Sequence, residues 1–203
     1  MALGYVRPAR AEDAEEIARV QHVTWQTAYP RFIPQFAVEH ALATADVTSL
    51  AQQWRAAITN PPSSRHQVLV AIEQAEGVPE HMVGFVASGP ADETTLDPDE
   101  PAPEPSTAAV TDLMVEPRWG RRGHGSRLLS AAVDAWRRHG FTRVLAWAFD
   151  KDDATTKFLT STGWEPDGAA RALDIEGVLA PQTRLHVSLE ENPDDAGIPR
   201  DSG

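Results

Sequence analysis

In the stretch Leu113-Met114-Val115-Glu116-Pro117-Arg118-Trp119-Gly120-Arg121-Arg122-Gly123-His124-Gly125-Ser126-Arg127-Leu128-Leu129, a short apolar run meets a turn rich in glycine and arginine. Apolar residues at helical spacing follow. Gly123 and Gly125 let the chain turn sharply and bring its backbone close to a ligand. The first turn of the helix has N–H groups without intrahelical partners, and its dipole is equivalent to roughly half a positive charge there. Strand, turn and helix together form a cradle for a phosphate or pyrophosphate. Two phosphate motifs are excluded by spacing. A P-loop ends in Gly-Lys-Ser/Thr, whereas Gly125 is followed by Ser126 and Arg127. A dinucleotide fingerprint needs a third small residue where Leu128 stands.

Charge is distributed unevenly. Residues 117–143 hold seven arginines and one acid, Asp134, a local +6 in a chain whose formal net charge is −12. A basic island in an acidic protein points to a small polyanion held at one place. It does not point to nucleic acid, which calls for an extended basic surface. Arg121 and Arg122 are the expected phosphate contacts, and Arg127, Arg137, Arg138 and Arg143 are read as solvated helix-face residues.

The 203 residues, 41% hydrophobic and 24% charged, are those of one globular domain. No apolar run reaches the ~20 residues that span a bilayer, and the N-terminus lacks a secretory core. Zero cysteine excludes disulfides and a cysteine nucleophile. The seven histidines show no paired metal spacing, so no metal is expected. A cytoplasmic location follows.

Periodicity orders the elements. A strand over Val6–Ala9 precedes a helix that starts at Ala11–Asp13 and buries Ala14, Ile17, Val20 and Thr24. Pro30 and Pro34 interrupt the next segment, and a second helix covers Thr48 to Ile58. Strands over Gln67–Ile72 and Met82–Ala87 are joined by a turn at Glu76-Gly77. Residues 90–107 carry five prolines, six acids and no basic residue, and read as a solvated, mobile inserted loop. Val110–Val115 feeds the glycine turn. The helix after it buries Leu128, Leu129, Ala132, Val133 and Trp136, and ends at Gly140. Val144–Phe149 is apolar on both faces and therefore central. Asp152 or Asp153 caps a helix that carries Phe158 and Leu159 and closes at Gly163. A last strand covers Thr183–Leu189, and 190–203 is an acidic tail.

The glycine turn resembles the acyl-CoA loop of the GNAT superfamily of N-acyltransferases, Gln/Arg-x-x-Gly-x-Gly/Ala, with Gly120 in place of Gln or Arg. Phe158-Leu159-Thr160-Ser161-Thr162-Gly163-Trp164 is similar to that family's Phe-Tyr-x-x-x-Gly-Phe. Trp25-Gln26-Thr27-Ala28-Tyr29-Pro30 through Pro34 is similar to the Trp-x-x-Ala-Tyr-x-x-x-x-Pro of bacterial members. The resemblance covers most of residues 5–189. It implies an α/β fold in a single domain over 1–189. That fold has a mixed central sheet of about six to seven strands, flanked by about four helices and splayed at the acyl-CoA site.

For function, the resemblance implies transfer of an acetyl group from acetyl-CoA to a primary amine by direct attack in a ternary complex. A non-catalytic acyl-CoA-binding or regulatory module is the alternative. The acceptor is a small-molecule or peptide amine, with no nucleic acid or membrane partner, and a homodimer is left open. Leu113, Met114 and Val115 would bind the thioester and pantetheine through their backbone. Arg121, Arg122, Gly123, His124, Gly125 and Ser126 would hold the phosphates, and Asp152 would touch pantetheine. His124 is read as a surface or phosphate neighbour. Trp25, Tyr29 and Phe32 would line the acceptor's entrance, with His22 near them. The family's usual tyrosine acid falls on Leu159 and its usual glutamate base on Ala109. Tyr29, Glu116 and Asp112 are the remaining candidates for catalysis, and strict strand alternation puts Asp112 on the face opposite Ala109.

Overall fold

Val68, Val70 and Ile72 alternate with Leu69 and Ala71, so the strand they form is apolar on both faces and must sit inside a layered structure. The computed structural model describes residues 3–74, 79–96 and 100–190. Its strands form one mixed sheet in the order β1-β2-β3-β4-β5-β7-β6. They are β1 (Leu3–Pro8), β2 (Gln67–Gln74), β3 (His81–Pro90), β4 (Thr107–Val115), β5 (Arg143–Phe149), β6 (Glu165–Ile175) and β7 (Val178–Ser188). Five α-helices flank it among the described residues: α1 (Ala14–Ala28), α2 (Gln35–Thr44), α3 (Val47–Thr59), α4 (His124–Arg138) and α5 (Asp153–Thr160). The turn expected at Glu76-Gly77 and the tail beyond Glu190 lie outside the described residues.

Two apolar cores follow from the pleat. On one face Val70, Ile72, Phe85 and Met114 meet Ile17 and Val20 of α1. On the other, Leu69, Ala71, Val83 and Val86 meet Leu128, Leu129, Ala132 and Trp136 of α4. The Trp136 indole also donates to Ser88 Oγ at 2.9 Å. Gly140, in the left-handed region at φ 72°, turns the chain off α4, and Phe141 N donates to Trp136 O at 3.0 Å. Gly163 at φ 89° does the same after α5, and it sets Trp164 edge to face on Trp136 at 6.4 Å. β5 lies between β4 and β7, the central place its two apolar faces require.

Three elements differ from the sequence reading. α2 follows Pro34, which stands just ahead of the first turn, where a proline costs the helix nothing. β6 is an edge strand that is largely exposed, and its Gly168-Ala169-Ala170 run has no apolar alternation to announce it. β7 begins at Val178 rather than Thr183.

The described part of the 90–107 segment is anchored to the protein at several points, although many of its residues are exposed. Asp92 caps a short turn over Glu93–Thr95, and Leu96 is buried. The Trp147 indole donates to Thr95 O at 2.9 Å, and Arg65 to Pro105 O at 2.9 Å. Arg184 holds Glu100 at 2.6 Å. The partners of these acidic and proline-rich residues lie 40 to 84 positions away, so local composition reads as solvation.

Candidate functional site

β4 and β5 are paired in parallel only from Thr107–Arg143 to Val110–Ala146. Beyond that rung Thr111–Val115 and Trp147–Phe149 part, and a cleft of about 1170 Å³ opens between them. A sheet splayed at one site is what the family resemblance implies, and the parting lies here between β4 and β5.

A β-bulge adjusts what β4 presents. Ala87 of β3 stands opposite Asp112 and Ser88 opposite Val110, so Thr111 is an extra residue. Residues paired across two strands project from the same face. Asp112, opposite Ala87, and Ala109, opposite Gly89, therefore share one face. The expectation that they point apart is corrected: one inserted residue resets the alternation. Asp112 lines the cleft, half-buried, and burial pushes its carboxyl up to about 6 against an opposing hydrogen bond from Thr111.

Trp25, Tyr29 and Phe32 all line the cleft, whereas His22 does not. Tyr29 packs at 5.0 Å on Phe32 and at 5.6 Å on Phe149. Burial raises the Tyr29 phenol well above its ordinary range, and the negative charges of Asp112 and Asp152 add to the rise. The phenol thus stays protonated in the field of two carboxylates. Trp25 also packs against Leu50 and Ala51, so it is a core anchor as well as a wall. Its indole N–H and the Thr24 hydroxyl are buried at the cleft with no partner among the described residues.

Glu116 does not line the cleft. It is buried in an ion cluster, with Arg19 at 2.9 Å and Arg118 in direct contact, and so ties the end of β4 to α1. That removes it from the catalytic candidates. Leu159 is buried and lines the cleft.

On the opposite face of the sheet, the turn before α4 is built from Pro117–Trp119, Gly120 and two left-handed residues, Arg121 at φ 60° and Gly123 at φ 80°. A side chain at Gly123 would be strained wherever it pointed. At Gly125 an added Cβ would stand 3.4 Å from the Phe158 ring, so this glycine lets α5 pack against α4. Leu113, Met114, Val115, Arg121 and Asp152 line the cleft, while Arg122, Gly123, His124, Gly125 and Ser126 continue past its edge as the helix N-terminus. Arg122 stacks over Trp119 at 4.8 Å. Asp152 caps α5, accepting from Thr155 N at 3.1 Å.

The expected surface position of His124 is corrected. Its ring is buried with Glu73 at 3.4 Å and Arg127 at 3.1 Å, and burial lowers its pKa. Only its backbone N–H is available to an anion. Two of the arginines read as solvated helix-face residues differ: Arg127 contacts the buried His124, and Arg143 opens β5 and pairs with Asp167 at 3.2 Å. The sequence reading missed Trp147, Phe149, Arg171 and Gln182 as cleft residues. The signal was partial: Val144–Phe149 looks buried on both faces, and only the parting of β4 uncovers its last residues.

The Acetyltransferase (GNAT) family model matches residues 25–164. The chain belongs to the GNAT acetyltransferase family. An N-acetyltransferase of Streptomyces griseus is 26% identical over 111 residues, which are 55% of this chain and 53% of that protein. The match thus spans about half the length of this curated relative. Among solved structures, the PaiA N-acetyltransferase of Thermoplasma acidophilum in complex with coenzyme A aligns with a TM-score of 0.65 at 14% identity. That alignment covers 92% of this chain and 99% of the other. YncA of Salmonella typhimurium with acetyl-CoA aligns at 0.58 and 18% identity, over 94% and 96%. At such identities the likeness carries the fold alone.

Proposed function

We propose that this GNAT chain transfers an acetyl group from acetyl-CoA to a primary amine, by direct attack with both substrates bound. The observation that supports it is the parted edge of β4 and β5. It frees the Leu113–Val115 backbone between the α4 N-terminus on one face and Asp112 with Tyr29 on the other. A pyrophosphate fits the α4 N-terminus, where the turn carries Arg121 and Arg122 and no Cβ intrudes at Gly123 or Gly125. Backbone N–H groups of Leu113–Val115 would donate to the carbonyl oxygen as negative charge develops there.

The amine nitrogen bonds to the thioester carbon and the C–S bond breaks. Asp112, near half-protonation around pH 6 and ionised at neutral pH, takes the proton released by the amine. Tyr29, which holds its proton, gives it to the departing thiolate. One proton is taken and one given, so CoA leaves as a neutral thiol. Tyr29 thereby does from the turn after α1 what a tyrosine at the Leu159 position would do from α5.

Leu159 favours a second reading, a non-catalytic acyl-CoA-binding module. Purified protein with acetyl-CoA and a broad amine panel separates the two, with free thiol followed over time and products weighed by mass spectrometry. Acceptor-dependent thiol release with an acetylated amine is the expected result. Acetyl-CoA binding without release for any amine would support the module instead. This reading takes the cytoplasm as the compartment that would supply acetyl-CoA.

A further inference from the structure

Two arginines on one face of the sheet stand in very different states: Arg171 lines the cleft, and Arg184 is buried beside it without lining it. The rows Trp147–Arg184 and Phe149–Gln182–Arg171 run across β5, β7 and β6, and they project from the face that carries Asp112. Arg184 is buried and neutralised, with Glu100 at 2.6 Å and Asp167 at 2.8 Å. Arg171 has no carboxylate within ion-pair distance among the described residues. Its Nε donates to Gln182 Oε1 at 2.8 Å, its Nη1 donates to Thr94 O at 3.0 Å, and its guanidinium stacks over Trp147 at 4.3 Å. Burial and the neighbouring Arg184 charge both disfavour its ionised form.

A cation fixed this firmly, half-buried beside a like charge and lacking a counter-ion, is costly unless a ligand supplies the anion. Coenzyme A cannot be that ligand, because the α4 N-terminus lies on the other face of the sheet. Arg31 and Lys151, the other cations on this side, are exposed at the rim. Across the β4–β5 gap stands Asp112, a carboxylate with no cation paired to it among the described residues. Gln182 of β7 and the Trp147 ring of β5 fix the Arg171 guanidinium in the cleft that Asp112 also lines.

We propose that Arg171 binds an anionic group of the acceptor, and that the acceptor is an amino-acid-like zwitterion with a carboxylate, or an anion of similar shape, a few bonds from its amine. Asp112 draws the ammonium end and Arg171 the acid end. This rests on the acetyltransferase reading above, and it departs from the polyamine class that the chain's net negative charge alone would favour. The planar guanidinium suits a carboxylate and gains selectivity from its fixed orientation.

The test compares the proteinogenic amino acids with their carboxamides and with spermidine, in two readouts. One is thiol release from acetyl-CoA, and the other is thermal stabilisation of the protein saturated with CoA. Wild type is expected to favour carboxylates over matched carboxamides by roughly ten- to a hundredfold in kcat/KM. Arg171→Gln should erase that preference through KM, Arg171→Lys should keep part of it, and acetyl-CoA affinity should stay the same in both. Equal or better use of carboxamides or spermidine by wild type overturns the inference and leaves the acetyltransferase standing. No thiol release from any acceptor counts against the acetyltransferase. In that case stabilisation by amino acids that Arg171→Gln removes still supports the Arg171 site, and its absence overturns the site.

Discussion

Asp112 stands opposite Ala87 because Thr111 is inserted ahead of it, and this one-residue bulge turns its carboxylate into the cleft. The register therefore places a carboxylate with a raised pKa in the cleft that Tyr29 also lines.

The first prediction concerns pH. With the Asp112 carboxyl near 6, kcat/KM should fall as pH drops through about 6, because the protonated acid cannot take the amine's proton. Asp112→Asn should lower kcat by roughly 10²–10⁴-fold and remove that limb of the profile. Stability should move the other way. The folded carboxyl binds its proton more tightly than the unfolded one, so between about pH 4 and pH 6 the native state holds more protons and stability is lost as pH rises. Asp112→Asn should accordingly raise Tm at neutral pH, a shift that thermal unfolding at pH 4 and pH 7 would reveal.

Tyr29→Phe keeps the packing on Phe32 and Phe149 and deletes only the hydroxyl. Its kcat should fall by about 10²-fold, at the lower end for a general acid because a thiolate is a fair leaving group. Acetyl-CoA affinity should not change. Thioesters of lower thiol pKa, which leave without a proton, should restore part of the rate.

Glu116→Gln is expected to act on stability alone. It breaks a buried carboxylate away from Arg19 and Arg118, which are themselves partly exposed, so the loss should be about 1–3 kcal/mol. Urea denaturation would measure it, and kcat/KM of the folded fraction should match wild type.

How far the chain could be read in advance varies with the range of the interactions. The Gly123 turn, the Leu128–Trp136 stripe and the central strand over Val144–Phe149 are local patterns with a fixed period, and each stands where its pattern puts it. α2 was hidden by Pro34, which reads as a break although it sits at a helix start. β6 was hidden because an edge strand needs no apolar alternation. The bulge at Thr111 leaves no mark in composition, yet it reverses the facing of Asp112. Arg171 meets Thr94 across 77 positions, and such a contact exists only once the sheet has formed.

Gly123→Val probes the cradle. A β-branched residue at φ 80° costs roughly 1–2 kcal/mol of local strain and turns the first N–H groups of α4 away from an anion. The dissociation constant for acetyl-CoA should rise about tenfold or more, with the circular dichroism of the folded protein preserved.

The most direct measurement is a calorimetric titration of the wild-type chain with acetyl-CoA, run beside free CoA and NADH, and repeated on Gly123→Val. The parted β4–β5 edge and the α4 N-terminus predict micromolar binding of both CoA compounds, no binding of NADH, and a clear weakening in the variant. Absence of acetyl-CoA binding, or equal binding of NADH, would contradict the assignment of this cleft to an acyl-CoA substrate.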